Sequence, residues 1–496
     1  MTRPIKGAAK SLRDLAAFIG VTSNSNLEFS GVTSNSSSVE IGDLFVALPG
    51  AKVHGAEFAQ LAKESGAVAI LTDSKGQEIL EKFSVALPTI VVADPRRELG
   101  EICSWFYGSP TNSLKVAGIT GTNGKTSTAI ILDQLLTLAG KETGLIGTTG
   151  IQIGHERLPA QFTTPEASEL QSLFATMSER HISHAVMEVS SHALEARRVA
   201  GTKFAMVGFT NLTQDHLDFH GDMASYFSAK SQLFRLQYSE LGFINIDDSY
   251  GRKLIANCEI PTVSLSVTDR SAQWHYEKIE INSRGYSVGI RGTGGVLIEG
   301  ELRLIGDHNL ENVLMAVAMA FEFEVDPLVI GDNLSKIIGA PGRLESIEIG
   351  QNFLALVDYA HTPAAVARTL LTLRKFVDGR LIAILGCGGD RDRSKRPIMG
   401  SELLAGCDVA IFTSDNPRSE SAEAILSEMT RGLVLNETSV VIADRREAIA
   451  FAVANALPGD CVIALGKGHE SGQEINGIKY PFDDRIELAR AIEELS

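Results

Sequence analysis

The sequence predicts an α/β protein of three domains, and three observations carry that prediction. The chain is 496 residues long, about three domains on an ordinary size prior. Its 46 glycines and 6% aromatic residues suit many tight strand-to-helix turns. Apolar runs of strand length alternate with helical stretches, and polar clusters follow the runs, as in largely parallel sheets.

The first domain, 1–96, reads as a small α/β unit with strands at 43–48, 67–71 and 89–92 and a helix over 58–65. A helix over 95–107 and the turn-rich Gly108-Ser-Pro-Thr-Asn-Ser113 lead onward. The second domain, 97–340, carries Val116-Ala-Gly-Ile-Thr-Gly-Thr-Asn-Gly-Lys-Thr-Ser-Thr128: an apolar strand, a Gly-rich turn, then Lys-Thr opening a helix. That order builds a phosphate cradle. Gly121 and Gly124 let the backbone turn so that its N–H groups face an anion, and the helix beginning near Thr126 adds its positive end. Lys125 reaches the terminal phosphates and the Thr126 hydroxyl meets Mg²⁺. The glycine spacing departs from the usual phosphate loop, because Ile119 stands five before Gly124. A turn without a ligand is the plain alternative.

Further strands are expected at 185–189, 204–210 and 241–246. Ser190-Ser-His192 and Asn211-Leu-Thr-Gln-Asp-His-Leu-Asp218 follow two of them. Ligands bind outside the carboxyl ends of such strands, so both clusters should converge on a nucleotide. Short alternating strands over 261–305 read as a β-rich insertion without chemistry. The third domain, 341–496, opens at Pro341-Gly-Arg-Leu-Glu345. Its strands at 354–357, 381–385, 409–413, 440–443 and 462–465, with helices between them, read as Rossmann-like.

Several residues carry candidate chemistry. Glu188 ends an apolar strand. Alone it would be a surface or capping residue, but beside a phosphate loop it can hold a magnesium ion bridging β- and γ-phosphates. His216 could be a second metal or phosphate contact, and alone would be a loop histidine. Lys230 falls in a helical stretch over 223–237, where solvation is the ordinary outcome. Asp307 reads as the N-cap of a helix, with Asn309 and Asn312 near its start as caps or as readers of an adenine edge. The basic loop Gly386-Cys-Gly-Gly-Asp-Arg-Asp-Arg-Ser-Lys-Arg-Pro397 follows a strand, as do Asp415-Asn-Pro-Arg418 and Gly466-Lys-Gly-His-Glu470. These loops should meet at one sheet edge. An arginine pair there would read a carboxylate bidentately, and Glu470 would accept from an ammonium group, which makes a receptor for a zwitterionic amino acid.

Composition narrows the partners. A net charge of −16 disfavours nucleic acid and anionic membrane, so anionic substrates must be drawn by local Lys, Arg and Mg²⁺. The five cysteines form no C-x-x-C pair, which suggests free thiols in a reducing compartment and no zinc site. The N-terminus, with Lys6, Lys10, Arg13 and Asp14, has no sustained apolar stretch, and no bilayer-length run follows. A cytoplasmic protein, with no membrane insertion, is expected.

Gly121-Thr-Asn-Gly-Lys-Thr126, Glu188-Val-Ser-Ser-His192, Thr210-Asn-Leu-Thr213 with Asp215-His-Leu-Asp218, Ala229-Lys230, His308-Asn309 with Asn312, Gly342-Arg-Leu-Glu345 and Asp358-Tyr-Ala-His-Thr-Pro363 occur in this order. The set resembles the Mur ligase family, ATP-dependent amide-forming enzymes of peptidoglycan precursor synthesis. Thr163-Thr-Pro165, Gly388-Gly-Asp-Arg391, Asp415-Asn-Pro-Arg418 and Gly466-Lys-Gly-His-Glu470 are similar to the branch that adds the third residue of the stem peptide. The resemblance implies an N-terminal UDP-binding domain, a central ATPase domain and a C-terminal amino-acid-binding domain that swings onto the central one, in a monomer.

Residue by residue, the resemblance implies ATP held by Gly121, Thr122, Asn123, Gly124, Lys125, Thr126 and Ser127, with Asn309, Arg343, Asp358 and His361 around the nucleotide. Thr126, Glu188 and His216 would serve magnesium, joined by Lys230 as a carbamate. With Lys125, the last three form the catalytic group. Ser36, Thr163, Thr164, Ser190 and Arg198 would hold a UDP-muramoyl dipeptide. Arg391, Asp415, Asn416, Pro417, Arg418, Gly466 and Glu470 would hold the incoming diamino acid. Many relatives have Asp-Ser-Arg where this chain has Asn35-Ser-Ser37, so only Ser36 transfers, and Ala196 stands where some carry Gln. Arg418 facing a second carboxylate favours meso-diaminopimelate over lysine or ornithine. Folylpolyglutamate synthetase, which shares the fold and phosphate loop, and a nucleotide-dependent switch are the rival readings.

Overall fold

The structure, a computed structural model, describes residues 3–4, 9–282 and 284–495. Lys6 lies outside the described residues. The chain forms two compact units, Met1–Trp274 with Leu314–Val325, and His275–Val313 with Asp326–Ser496.

The first unit holds two main sheets, besides the antiparallel pair Lys10–Ser11 and Glu28–Phe29. In the smaller, Gly31–Thr33, Asp43–Val46, Ala69–Thr72 and Thr89–Val91 run parallel in chain order. Successive side chains point to opposite faces of a strand, and both faces here are apolar. Val32, Leu44, Val46 and Leu71 join Leu12, Leu15, Leu99 and Ile102 on one side, while Phe45, Ala47 and Ile70 join Ala59, Ala62 and Leu80 on the other. Burial on both faces is what a parallel sheet requires. The helix expected over 58–65 is a 3₁₀ turn, Gly55–Phe58, followed by Ala59–Glu64.

In the larger sheet the order is Glu156–Leu158, Gly150–Ile153, Thr143–Gly147, His184–Glu188, Lys115–Thr120, Met206–Phe209, Gly242–Asn245 and Thr262–Ser266. The first two are an antiparallel edge and the rest are parallel. Lys115–Thr120 lies centrally, with Glu188 in register beside Ile119 and Phe209 beside Thr120. The ends of three neighbouring strands therefore emerge together. The first strand within 261–305, Thr262–Ser266, joins this parallel sheet, which corrects its reading as part of a β-rich insertion. Beyond it, Trp274–Asn282, Gly285–Arg291 and Leu297–Leu302 form an antiparallel meander.

The helix Pro95–Phe106 connects the two sheets' domains. A Cβ on Gly100 would lie 2.3 Å from Ala200 O, and one on Gly201 would lie 2.3 Å from Gly100 O. The two backbones touch because neither residue has a side chain. Gly100→Ala should therefore lower the stability of this unit by about 1–3 kcal/mol despite a better helix propensity, readable as an earlier denaturation midpoint. An unchanged midpoint would show that the contact can yield.

In the second unit the sheet order is Glu345–Ser346, Leu354–Asp358, Cys461–Leu465, Leu381–Leu385, Val409–Phe412 and Val440–Val441, all parallel except the first. The chain steps outward from Leu381–Leu385 to Val440–Val441 and then returns to insert Cys461–Leu465 beside its starting strand. The loops after residues 385, 412 and 465 thus leave three adjacent strands at a topological switch point. Arg445, fully buried against Asp484 at 2.6 Å, donates to Leu465 O and Ser414 O and ties two of these strand ends together.

Two helix expectations change at their ends. The helix over 223–237 stops at Ser231 and continues as the 3₁₀ turn Gln232–Phe234. Asp307 is the first residue of the helix Asp307–Glu322 and not its cap; its carboxylate pairs with Lys375 at 2.7 Å instead. Among the described residues, no helix is long and apolar enough to cross a membrane.

Candidate active site

The turn after Lys115–Thr120 is held from outside. Thr122 N donates to Asn211 O and Asn123 N to Asn211 Oδ1, both at 2.9 Å. Gly121 has φ 147°, and a Cβ there would sit 1.9 Å from Thr210 Oγ1. Only glycine lets the turn lie this close to the next strand end. Asn123 O accepts from the same hydroxyl at 2.6 Å. Gly124, with φ 84°, opens the helix Lys125–Leu138. The first-turn N–H groups of that helix, Lys125 to Ser127, have no intrahelical acceptor and form the anion-facing end of its dipole. Lys125 Nζ donates to Gly121 O and Thr122 O at 2.9 Å. Burial lowers its pKa, and Glu188 opposes that effect.

Glu188 is 1% exposed and is a hub. Its carboxylate accepts from Thr126 Oγ1 and Thr148 N, each at 2.8 Å, while its carbonyl accepts from Thr164 Oγ1 at 2.8 Å. Thr164 Oγ1 also accepts from Ser190 N, and Thr164 O accepts from Arg198 Nη1. Thr163 Oγ1 lies 3.2 Å from Thr148 Oγ1. The structure thus brings Thr163, Thr164, Ser190 and Arg198 around one strand end. Ser34 Oγ lies 3.4 Å from Ser168 Oγ, which ties the segment just before the Ser36 turn to the helix Ala167–Glu179. Asn35 caps that turn by accepting from Ser37 N.

Lys230 is not solvated. It is 1% exposed, donates to Gly121 O at 2.7 Å and lies 4.7 Å from the Tyr226 ring centroid. Burial, reinforced by Lys125, holds its pKa well below the usual lysine value. His216 takes a left-handed φ of 51°, is about half exposed, and meets His192 with ring centroids 4.8 Å apart. No group of three or more His, Cys, Asp or Glu side chains suited to a metal occurs among the described residues. The oxygens that do converge are those of Thr126 and Glu188, hard donors appropriate to Mg²⁺.

In the second unit, Asn309 Nδ2 bonds back to Ile305 O at 2.8 Å. Asp358 accepts from Leu344 N and Ala360 N, each at 2.9 Å, and so fixes the loop carrying Arg343, whose guanidinium lies 4.9 Å from the Tyr359 ring centroid. A pocket of about 300 Å³ opens at the switch point. Its lining includes Arg391, Asp415, Asn416, Arg418, Gly466 and Glu470, so the three polar loops do meet. His361 lines it too, although the resemblance assigned it to the nucleotide. Pro417 is not on that lining; its backbone packs against Gly389. Burial raises the Asp415 pKa, opposed by Arg445 and Lys467.

The chain matches, in order, models described as Mur ligase family, catalytic domain (28–107), Mur ligase middle domain (119–320) and Mur ligase, glutamate ligase domain (342–468). A protein of Streptomyces coelicolor named "UDP-N-acetylmuramoyl-L-alanyl-D-glutamate--2,6-diaminopimelate ligase" is 44% identical, covering 99% of this chain and 98% of that one. The chain belongs to the Mur ligase family. A Corynebacterium glutamicum protein of the same name is 43% identical to this Mur ligase over 93% of its length and 91% of the relative's. A solved structure titled for the same ligase superposes with a TM-score of 0.79 at 32% identity, covering 98% and 99% of the two chains. The folylpolyglutamate synthase of Mycobacterium tuberculosis, complexed with ADP and AMPPCP, shares the fold with a TM-score of 0.55 at 19% identity over 75% of this chain and 92% of that one.

Some residues at this Mur ligase's sites escaped sequence reasoning. Lys467 is fully buried and donates to Asn416 Oδ1, Glu470 Oε2 and Gly472 O at 3.1, 3.2 and 2.8 Å. The signal was available: a lysine between two glycines directly after an all-apolar strand can turn inward. Arg198 is positioned by Glu166 at 2.8 Å and by the Phe162 face at 4.4 Å, and nothing local marks either partner.

Proposed function

We propose that this Mur ligase adds meso-diaminopimelate to the D-Glu γ-carboxylate of UDP-N-acetylmuramoyl-L-Ala-D-Glu, converting ATP to ADP and phosphate in peptidoglycan precursor synthesis. The observation that carries the reading is the single pocket joining Arg391 and Arg418 to Asp415 and Glu470. Paired guanidinium groups suit a carboxylate, and carboxylates suit an ammonium group. We assign domains at 1–96, 97–340 and 341–496, in a monomeric, cytoplasmic enzyme whose partners are small molecules.

The γ-carboxylate attacks the γ-phosphorus of ATP and ADP leaves, giving an acyl phosphate. The neutral amine of the diamino acid then attacks the acyl carbon, loses its proton, and inorganic phosphate departs through a tetrahedral intermediate. The residues from Gly121 to Ser127 cradle the phosphates with N–H groups and Lys125, while Asn309, Arg343, Asp358 and His361 are assigned to the nucleotide. Ser36, Thr163, Thr164, Ser190 and Arg198 orient the dipeptide. Thr126 and Glu188, with His216 and a carbamylated Lys230, are the proposed Mg²⁺ set; the ion, when bound, neutralises charge on the β- and γ-phosphates. Positioning and charge neutralisation supply most of the rate.

The test is phosphate release with ATP, Mg²⁺ and the UDP-dipeptide, adding meso-diaminopimelate, lysine or ornithine separately and weighing the product. Turnover with meso-diaminopimelate alone is expected. Turnover only with lysine or ornithine would keep the ligase and reject the amino acid, and turnover with none would reject both.

A further inference from the structure

The loop 386–397 supplies more cations than its own carboxylates can neutralise, and the structure sorts them. Arg393 pairs with Glu428, and Arg396, fully buried, pairs with Glu420 at 2.7 Å and Glu428 at 2.8 Å. Among the described residues, Arg391 and Lys395 have no carboxylate at ion-pair distance, Lys395 meeting Asp392 only through the longer-range field, and both line the amino-acid pocket. Sequence reasoning singled out Arg391 alone.

Two of the pocket's cations are anchored on different loops. Arg418 Nη1 donates to Gly389 O at 2.7 Å. Lys395 Nζ donates to His361 O at 3.2 Å, on the loop that follows Leu354–Asp358. An ammonium has three donors, so Lys395 retains hydrogen-bonding capacity after this anchor. Cations held by two different loops around one pocket suit a ligand with more than one carboxylate. Meso-diaminopimelate is such a ligand, and Arg391 with Arg418 accounts for only its distal head.

We propose that Lys395 binds the α-carboxylate at the reacting end of the incoming amino acid, next to the attacking amine. The assignment rests on the functional reading above. Its anchor, His361 O, lies three residues after Asp358, the group assigned to the nucleotide, and this assigns Lys395 to the end at which transfer occurs. The contact fixes the amine's direction, and a cation beside the amine disfavours its ammonium form, leaving the lone pair available for attack.

The test is steady-state kinetics of the full-length enzyme, with Lys395→Met and Lys395→Arg compared with wild type. Lys395→Met should raise KM for meso-diaminopimelate by about 30-fold, the loss of a charge-assisted hydrogen bond, with KM for ATP little changed. Lys395→Arg should recover most of the loss. L-lysine and D-lysine, used as competitors, separate a direct contact from a structural one. L-lysine keeps the reacting-end carboxylate and should bind more weakly to Lys395→Met. D-lysine mimics only the distal head and should inhibit wild type and variant equally. A raised KM for ATP with unchanged KM for the amino acid would move Lys395 to a phosphate contact and overturn the assignment. Equal weakening of both lysine enantiomers would reduce it to loop support. Wild-type turnover with no diamino acid would reject the functional reading itself, whereas normal wild-type turnover with an unaffected Lys395→Met would reject this assignment alone.

Discussion

Replacing Lys230 by Ala should lower turnover by on the order of 10³, without unfolding the protein. The expectation follows from what the amine touches. It donates to Gly121 O, and burial together with the nearby Lys125 holds it well below its usual pKa. A lowered pKa favours the neutral amine, the form that carbon dioxide requires as nucleophile. The resulting carbamate keeps an N–H for Gly121 O and exchanges repulsion from Lys125 for attraction, while adding oxygen donors at the phosphate loop. Stripping carbon dioxide from the buffer should therefore reduce wild-type turnover, bicarbonate should restore it, and Lys230→Ala should respond to neither. A wild-type enzyme indifferent to carbon dioxide, or a variant within about tenfold of it, would sink the carbamate.

The same residue gives a stability test with a definite sign. In carbon-dioxide-free buffer the unfolded chain binds a proton at Lys230 up to the ordinary lysine value of 10.5, whereas the folded chain releases it at the lowered value. Between those pKa values the unfolded state holds more protons, so stability rises with pH across that window. Lys230→Met removes this penalty. Its unfolding midpoint at neutral pH should rise while activity falls, as expected where function is retained at the expense of stability.

Local chemistry was legible in the sequence and long-range pairing was not. The phosphate turn could be read because strand, glycines, Lys-Thr and helix are contiguous. The inner strands Leu381–Leu385, Val409–Phe412 and Cys461–Leu465 could be read because each is an unbroken apolar run buried on both faces. Sheet order was not readable, yet it makes the loops after residues 385, 412 and 465 neighbours. Nor did spacing show that Glu420 and Glu428 would neutralise Arg396 and Arg393 from outside their loop, or that Glu166 would hold Arg198. From its local sequence Lys230 read as a solvated lysine, because its burial is a property of the fold. The helix start shifted at Asp307, whose carboxylate pairs with Lys375, and the helix end shifted at Ser231, where the chain tightens into the 3₁₀ turn Gln232–Phe234.

Arg418→Ala should lower kcat/KM for meso-diaminopimelate by on the order of 10³ while changing that for lysine by less than about tenfold. Arg418 is held in a left-handed backbone conformation, φ 52°, which costs a non-glycine residue of order 1 kcal/mol. The conformation persists because Arg418 N donates to Glu474 O and Asn476 N donates to Arg418 O. Nη1 is anchored on Gly389 O and Nε lies 3.4 Å from Glu474, so the fork is preorganised with donors to spare. A distal carboxylate meets those donors, whereas the distal ammonium of lysine meets only repulsion, and removing the guanidinium removes both effects. Lys at this position would keep the charge and lose the fork, so Arg418→Lys should recover only part of the selectivity. Asn416 belongs to the same argument at one remove. Its amide donates to Glu470 at 2.8 Å and accepts from Lys467 and Glu474 N, so Asn416→Asp would set a carboxylate against Glu470 and weaken every diamino acid alike. Competing substrates in one reaction, resolved by product mass, give the ratio directly. A ratio unchanged in Arg418→Ala would place the discrimination elsewhere in the pocket.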